Sequence, residues 1–381
     1  MDVERFRVDV PDAVLDDLRE RLARTRLPNQ IEGVGWAQGT ELGYLTDLIA
    51  YWRDGFDWRA QEARLNAFDQ FVTEIDGQRL HFVHQRSPEP GALPLLISHG
   101  WPGSVVEFLD VIGPLTNPRA HGGDPADAFH VVAPSLPGYG FSGPTHEPGW
   151  HPRRIAGAYV HLMAALGYTR YGAQGGDWGS IVCANVADLD PARVAGLHLN
   201  FLTVPRPADA DLASLTPDEQ RDLAAVGEWR RTGVGYQEIQ GTKPQTLGYA
   251  LEDSPAGLCA WIVEKFGAWS DGGPSPESAF TRDQLLTNVT TYWVTGTATS
   301  STRLYYEMRQ VGRDALPQAY VAVPTGVASF PGEVTRTPRS WAEHRYHIVH
   351  WTEQPRGGHF AAMQVPDLFV DDVRTFFRPL R

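Results

Sequence analysis

Between residues 93 and 202 the chain alternates short apolar runs with amphipathic segments, and this pattern restricts the fold more than any other feature. "LPLLIS" (93–98), "AFHVVAPS" (128–135), a run ending near Gln174 and "RVAGLHLNFL" (193–202) have the length of buried strands. "SVVEFLDVIGPL" (104–115), "RRIAGAYVHLMAALG" (153–167) and "WGSIVCANVADL" (178–189) read as helices between them. Strands that alternate with helices build a mostly parallel sheet covered on both faces. "FVTEIDGQRLHFVHQ" (71–85) adds a hairpin around Asp76-Gly77.

The alternation stops near Thr203. Residues 203–316 read as helices and loops rich in Tyr and Trp. Strands resume with "AYVAVPTG" (319–326) and "YHIVHWTEQ" (346–354), and a helix over 368–377 follows. Upstream, Pro11 and Asp12 are helix-start signals. Val14, Leu15, Leu18 and Leu22 then recur at helical spacing until Pro28, and Leu45, Leu48, Ile49 and Trp52 repeat the pattern. The expected organisation is a helical extension (1–75), a first core segment (76–202), a helical cap (203–316) and a second core segment (317–381).

The 381 residues suffice for such a domain with an insertion. A net charge of -13 argues against nucleic acid and against an anionic membrane surface as partners. The start, "MDVERFRVDVPD", lacks the basic and apolar regions of a signal peptide. No run approaches the ~18 apolar residues of a spanning helix. Cys183 and Cys259 lie far apart in apolar surroundings, as buried free thiols do in a reducing compartment. A cytoplasmic location is expected.

Chemistry enters at "YGAQGGDWGS" (171–180). It has the strand–turn–helix setting and flanking glycines of a nucleophile elbow, usually G-x-S-x-G. Asp177 occupies the serine position. Read alone, it also fits a helix N-cap. Further along, Glu333 follows one late strand and His359, in "RGGHFAAM", follows the last. Nucleophile, acid, histidine is the chain order of the α/β-hydrolase arrangement. "HGWPGS" (99–104) follows a strand at the place of an oxyanion loop, so the backbone N–H groups of Trp101 and Trp178 are the candidate donors. Two other patterns carry less. "GYGFSG" (138–143) matches a dinucleotide fingerprint but Pro144 follows it. His344, His347 and His350 are spaced by three, so on a strand they alternate faces and do not converge on a metal.

An aspartate at the elbow is already an anion at neutral pH, with an ordinary pKa near ~3.9. It can attack an sp³ carbon without a base, and water must then cleave the resulting ester. That points to epoxides or alkyl halides. A halide leaves toward weak N–H donors; an epoxide oxygen leaves as an alkoxide and wants a phenol. The cap holds Tyr236, Tyr249, Tyr292, Tyr305 and Tyr306 as candidate donors.

The sequence resembles the microsomal-type (xenobiotic and juvenile-hormone) epoxide hydrolase family. The segments that carry the resemblance include "FRVDVPDAVLDDLRERLARTRLP", "HGWPGS", "GGDWGS", "GTKPQTLGYALEDSPAGLCAWIVEKF", "YWVTGTATSSTRLYYE", "VPTGVASFPGE" and "RGGHFAAM". The resemblance implies an α/β-hydrolase fold and a cofactor-free, metal-free epoxide hydrolase. In it Asp177 is the nucleophile, His359 the base and Glu333 its acid. Tyr236 matches one ring-opening tyrosine and Tyr305 the other, with Tyr306 one residue away. No counterpart of the amino-terminal membrane anchor of the microsomal members is expected here. The expected partners are an epoxide and water, with a homodimer as one form of assembly. The aromatic cap suggests a bulky or aryl epoxide, either a xenobiotic or a natural-product intermediate. The rivals are a haloalkane dehalogenase and a non-catalytic binding protein of the same fold.

Overall fold

The computed structural model describes residues 2–381. Nine strands form a single sheet: β1 (Glu4–Phe6), β2 (Gln70–Ile75), β3 (Gln78–Gln85), β4 (Leu93–Ser98), β5 (Phe129–Pro134), β6 (Tyr171–Gly175), β7 (Val194–Leu199), β8 (Val321–Ser329) and β9 (Tyr346–Glu353). Their order is β1-β2-β3-β5-β4-β6-β7-β8-β9. The strands from β5 to β9 pair in parallel, and β1, β2 and β3 extend one edge antiparallel.

The continuous apolar runs of the central strands follow from burial on both faces. Successive residues point to opposite sides. Leu95, Ile97, Val131 and Ala133 thus pack with helices Leu109–Thr116 and Pro366–Phe377. Leu96, Val132 and Ala173 pack with helices Pro152–Ala165 and Asp177–Leu189 on the other side.

The chain leaves the sheet after β7 and returns at β8, and the intervening residues form the cap. Its helices include Gly235–Thr242, Pro255–Ala268, Arg282–Thr295 and Ala298–Val311. Helix Arg282–Thr295 clamps the loop after β4. Tyr292 donates its hydroxyl to the Gly103 carbonyl at 2.6 Å, and Asn288 donates to the Pro102 carbonyl at 2.7 Å. "GYGFSG" makes a second seam: Gly140 N–H reaches Thr297 Oγ1 at 3.1 Å, and Ser300 Oγ reaches the Gly138 carbonyl at 2.5 Å.

The amino-terminal segment carries three helices, Asp12–Ala23, Leu42–Asp54 and Trp58–Leu65, that lie against core and cap. Trp52 Nε1 donates to Thr290 Oγ1 at 2.9 Å, and Thr40 Oγ1 to the Ala260 carbonyl at 2.8 Å. The segment is not purely helical. It also supplies β1 and β2, so the sheet begins before residue 76. β1 is three residues long, too short for a visible alternation. It forms because pairing of Glu4–Phe6 with Gln70–Val72 satisfies the open edge of β2.

Among the described residues no helix is long and apolar enough to cross a membrane. Cys183 and Cys259 are buried and unpaired.

Candidate active site

Asp177 stands between β6 and helix Asp177–Leu189 with φ of 48°, a left-handed conformation that costs a non-glycine residue ~1–3 kcal/mol. Glycines make that turn possible. A Cβ on Gly179 would stand 2.0 Å from the Ser98 carbonyl oxygen, and one on Gly100 would stand 2.1 Å from Asp177 Oδ1. The elbow therefore sits hard against the end of β4. Its carboxylate lies at the positive end of a 13-residue helix, which favours an anion.

Asp177 Oδ1 accepts the backbone N–H of Trp101 at 2.7 Å. Its other oxygen, Oδ2, lies 3.3 Å from His359 Nε2, which makes no hydrogen bond. On the far side of the imidazole, Nδ1 donates to both Glu333 oxygens, at 2.8 and 3.0 Å. The Val334 N–H holds Glu333 Oε1 at 2.7 Å. Burial alone would lower the His359 pKa. The Glu333 charge and the nearness of Asp177 outweigh it and push the imidazole up to about 10.

Two loops bring acid and base together. Gly332 and Gly358 form an isolated bridge, and Gly332 N–H donates to the Gly357 carbonyl at 2.9 Å. The cap closes the arrangement: Trp269, the residue after helix Pro255–Ala268, offers its carbonyl to the His359 N–H at 2.9 Å. Asp271 Oδ2 accepts the Gly357 N–H at 2.6 Å.

Between cap and core lies a cavity of about 430 Å³ that reaches Asp177 and His359. Its walls are aromatic. Tyr236 stacks on Trp101 with centroids 5.1 Å apart and planes 11° apart, and Tyr305 meets Trp178 edge-on at 4.7 Å. Trp269 meets His359 at 4.8 Å, and Phe201 meets it at 5.6 Å. Burial first, and the Asp177 charge with it, lift both tyrosine pKa values above the ordinary range. The five candidate tyrosines separate here. Tyr236 and Tyr305 line the cavity with Asp177. Tyr292 is spent on Gly103, Tyr249 is 72% exposed, and Tyr306 lies on the outer side of its helix, 37% exposed.

The Trp178 N–H makes no hydrogen bond to the Asp177 carboxylate, which is turned toward Trp101 and His359; the Trp178 indole instead forms cavity wall. Two of the three spaced histidines take structural positions. His350 Nε2 lies 3.0 Å from Asp372 Oδ1, and His347 Nδ1 lies 3.3 Å from the Ala322 carbonyl. Trp269 and Phe201 escaped the sequence reading because nothing in so aromatic-rich a chain singles out two more rings.

Residues 3–108 match the family described as "Epoxide hydrolase N terminus", and residues 94–249 match "alpha/beta hydrolase fold". A Stigmatella aurantiaca protein provisionally named an epoxide hydrolase is 48% identical over 99% of this chain and 85% of its own length. The chain belongs to the epoxide hydrolase family. Epoxide hydrolase 1 of Sus scrofa is 39% identical over 98% of this chain and 88% of its own. The crystal structure of the juvenile hormone epoxide hydrolase from the silkworm Bombyx mori matches with a TM-score of 0.91, 31% identity and coverage of 100% and 95%. The α/β-hydrolase fold and the epoxide hydrolase assignment read from the sequence are thereby borne out. For an epoxide hydrolase the substrates are a small-molecule epoxide and water.

Proposed function

We propose that this epoxide hydrolase works through a covalent ester on Asp177. An epoxide lies in the aromatic cavity with its oxygen toward Tyr236 and Tyr305. Asp177 Oδ2 attacks a ring carbon from the opposite side. The carbon–oxygen bond of the ring breaks, and a tyrosine proton goes to the departing oxygen. Water then adds to the Asp177 carboxyl carbon while His359 takes its proton. Charge develops on Oδ1, where the Trp101 N–H already points, and the Trp178 N–H at the helix start is the second donor assigned to it. Collapse breaks the bond to the alkyl oxygen, which takes the proton from His359 as the vicinal diol leaves, and the second water proton, left on the Asp177 carboxyl group, restores the tyrosine hydroxyl.

A single observation carries this reading: the two Asp177 oxygens have different partners. Oδ1 is held by a backbone N–H, and Oδ2 is left toward His359 and the cavity. The histidine's charge state fits the sequence of steps. While Asp177 is an anion, it helps keep His359 protonated. Once Asp177 is an ester, that charge is gone and the imidazole becomes a better base when a base is needed.

The size and aromatic lining of the cavity favour a bulky apolar or aryl epoxide. The two buried thiols suit the cytoplasm.

The test is one turnover of styrene oxide in ¹⁸O-labelled water with excess enzyme. The first diol should carry no label, and the label should appear in the Asp177 peptide. Label entering the first diol directly would overturn the ester.

A further inference from the structure

Glu107 sits in a one-turn helix, Val105–Phe108, just after the loop that carries Trp101. Its neighbours Val105, Val106 and Phe108 are buried, and Glu107 itself is only 9% exposed. The side chain turns back under the loop, where a Cβ on Gly103 would stand 1.5 Å from Glu107 Oε1. Its one polar protein neighbour is the backbone N–H of Ser104, and it has no ion-pair partner among the described residues. A buried carboxyl with so little to hold it is costly unless something else satisfies it.

The group faces a second void, of about 10 Å³, which shares only Asp177 and His359 with the aromatic cavity. That volume holds about one water molecule. Most polar groups around it are engaged. His99 uses both ring nitrogens, toward the Gly100 carbonyl at 3.0 Å and the Leu136 N–H at 3.2 Å. Asn200 Oδ1 accepts from Gln174 at 2.7 Å, and its amide nitrogen faces the His359 carbonyl at 3.5 Å. Two groups remain free, Ser98 Oγ and His359 Nε2, and the Glu107 carboxyl, held only by the Ser104 N–H, lines the same void.

Building on the ester mechanism, we infer that Glu107 and His359 hold between them the water that hydrolyses the Asp177 ester. The water donates one hydrogen to His359 Nε2 and the other to a Glu107 oxygen, which leaves a lone pair for the Asp177 carboxyl carbon. The O–C bond forms as one proton passes to His359, the bond to the alkyl oxygen breaks, that proton goes to the diol, and the second water proton leaves the regenerated Asp177 carboxyl group to restore the tyrosine. The water enters from the core side of the carboxylate, away from the alkyl group in the aromatic cavity. Burial pushes the Glu107 pKa up to about 8, and the Asp177 charge adds to the rise. Protonated or not, the group offers an oxygen that can accept from the water.

The experiment compares Glu107→Leu, Glu107→Gln and the parent in rapid-quench single turnovers of styrene oxide, with intact-protein mass read at each time. His359→Gln gives the reference ester. Glu107→Leu should form the ester at the parent rate and hydrolyse it roughly 10–100-fold more slowly, as expected for a misplaced reactant. Glu107→Gln, which keeps an acceptor, should recover most of the loss. Equal slowing of both half-reactions, or unchanged hydrolysis in Glu107→Leu, would overturn the role of Glu107 and leave the ester mechanism standing. Absence of an ester in His359→Gln and in every other variant would instead remove the mechanism on which the role rests. A crystal structure of the parent enzyme gives an answer that no folding defect can obscure. Density for a water within hydrogen-bonding distance of Glu107 and His359 Nε2 is expected, and an empty void sinks the inference.

Discussion

The backbone N–H of His359 donates to the carbonyl of Trp269 at 2.9 Å, so the loop that carries the proposed base is pinned by the end of a cap helix. A Cβ on Gly358 would stand 2.4 Å from that same carbonyl. Gly358→Ala should force the two backbones apart, destabilise the fold by ~1–3 kcal/mol and lower kcat about 10-fold or more. Thermal melts and steady-state kinetics read both effects. A parent-like kcat in a folded variant would show that the pin does not matter.

His359→Gln should leave ring opening intact and stop the second step. The expected result is a stoichiometric adduct of substrate mass on Asp177, with turnover reduced by ~10²–10⁴. Intact-mass spectrometry after mixing with styrene oxide decides it. A variant that turns over at the parent rate would exclude His359 as the base.

Tyr236→Phe and Tyr305→Phe should each slow ester formation, by roughly 10²–10⁴ if that phenol carries the proton transfer alone and by less if the two share it. The double variant should lose more than either. Tyr306→Phe, on the outer face of the same helix, should be close to neutral. Single-turnover rates with an epoxide provide the check. The same variants assayed for bromide release from an alkyl bromide probe the halide rival, in which phenols have no part.

Replacing the Asp177 charge should move His359. In the parent the imidazole is pushed up to about 10 against the pull of burial, with Glu333 and Asp177 both contributing. In Asp177→Asn its pKa should fall, which NMR titration of the imidazole would show. The raised value is also a stability term. It is fully present below the ordinary histidine pKa of ~6.5 and is lost as pH rises through about 10. The stability gap between parent and Asp177→Asn should therefore narrow across that window in pH-dependent melts.

Cys183 and Cys259 should resist thiol reagents in the native protein. Both are fully buried, and burial pushes the Cys259 pKa up to about 12 and that of Cys183 higher still. Titration with a chromogenic disulfide should find no reactive thiol until denaturant is added, and two afterwards.

The sheet and the elbow were legible because each has a local signature. A strand buried on both faces must be apolar throughout, and a left-handed aspartate backed by β4 needs glycines around it. β1 was not legible, because three residues carry no period and its pairing partner lies more than sixty residues away. The choice among tyrosines was open for a related reason. A helix face decides whether Tyr305 or Tyr306 points inward, and only the packing of helix Ala298–Val311 fixes that face. Glu107 did carry a signal: an acidic side chain amid Val105, Val106 and Phe108. A solvated helix face would have explained it equally well until its burial was known.

The cap is inserted between β7 and β8, and it owns both cavity tyrosines, whereas Asp177, Glu333 and His359 all belong to the core. In the proposed mechanism, the proton donors for ring opening and the machinery for ester hydrolysis are thus encoded in different stretches of chain. Substitutions in the insertion could retune which ring carbon is attacked, or which mirror-image epoxide is accepted, while the hydrolytic half stays as it is. A library confined to cap residues away from Tyr236, Tyr305, Trp269 and Asp271 would explore selectivity without disabling turnover, because the two tyrosines serve ring opening and the other two are bonded to the histidine loop.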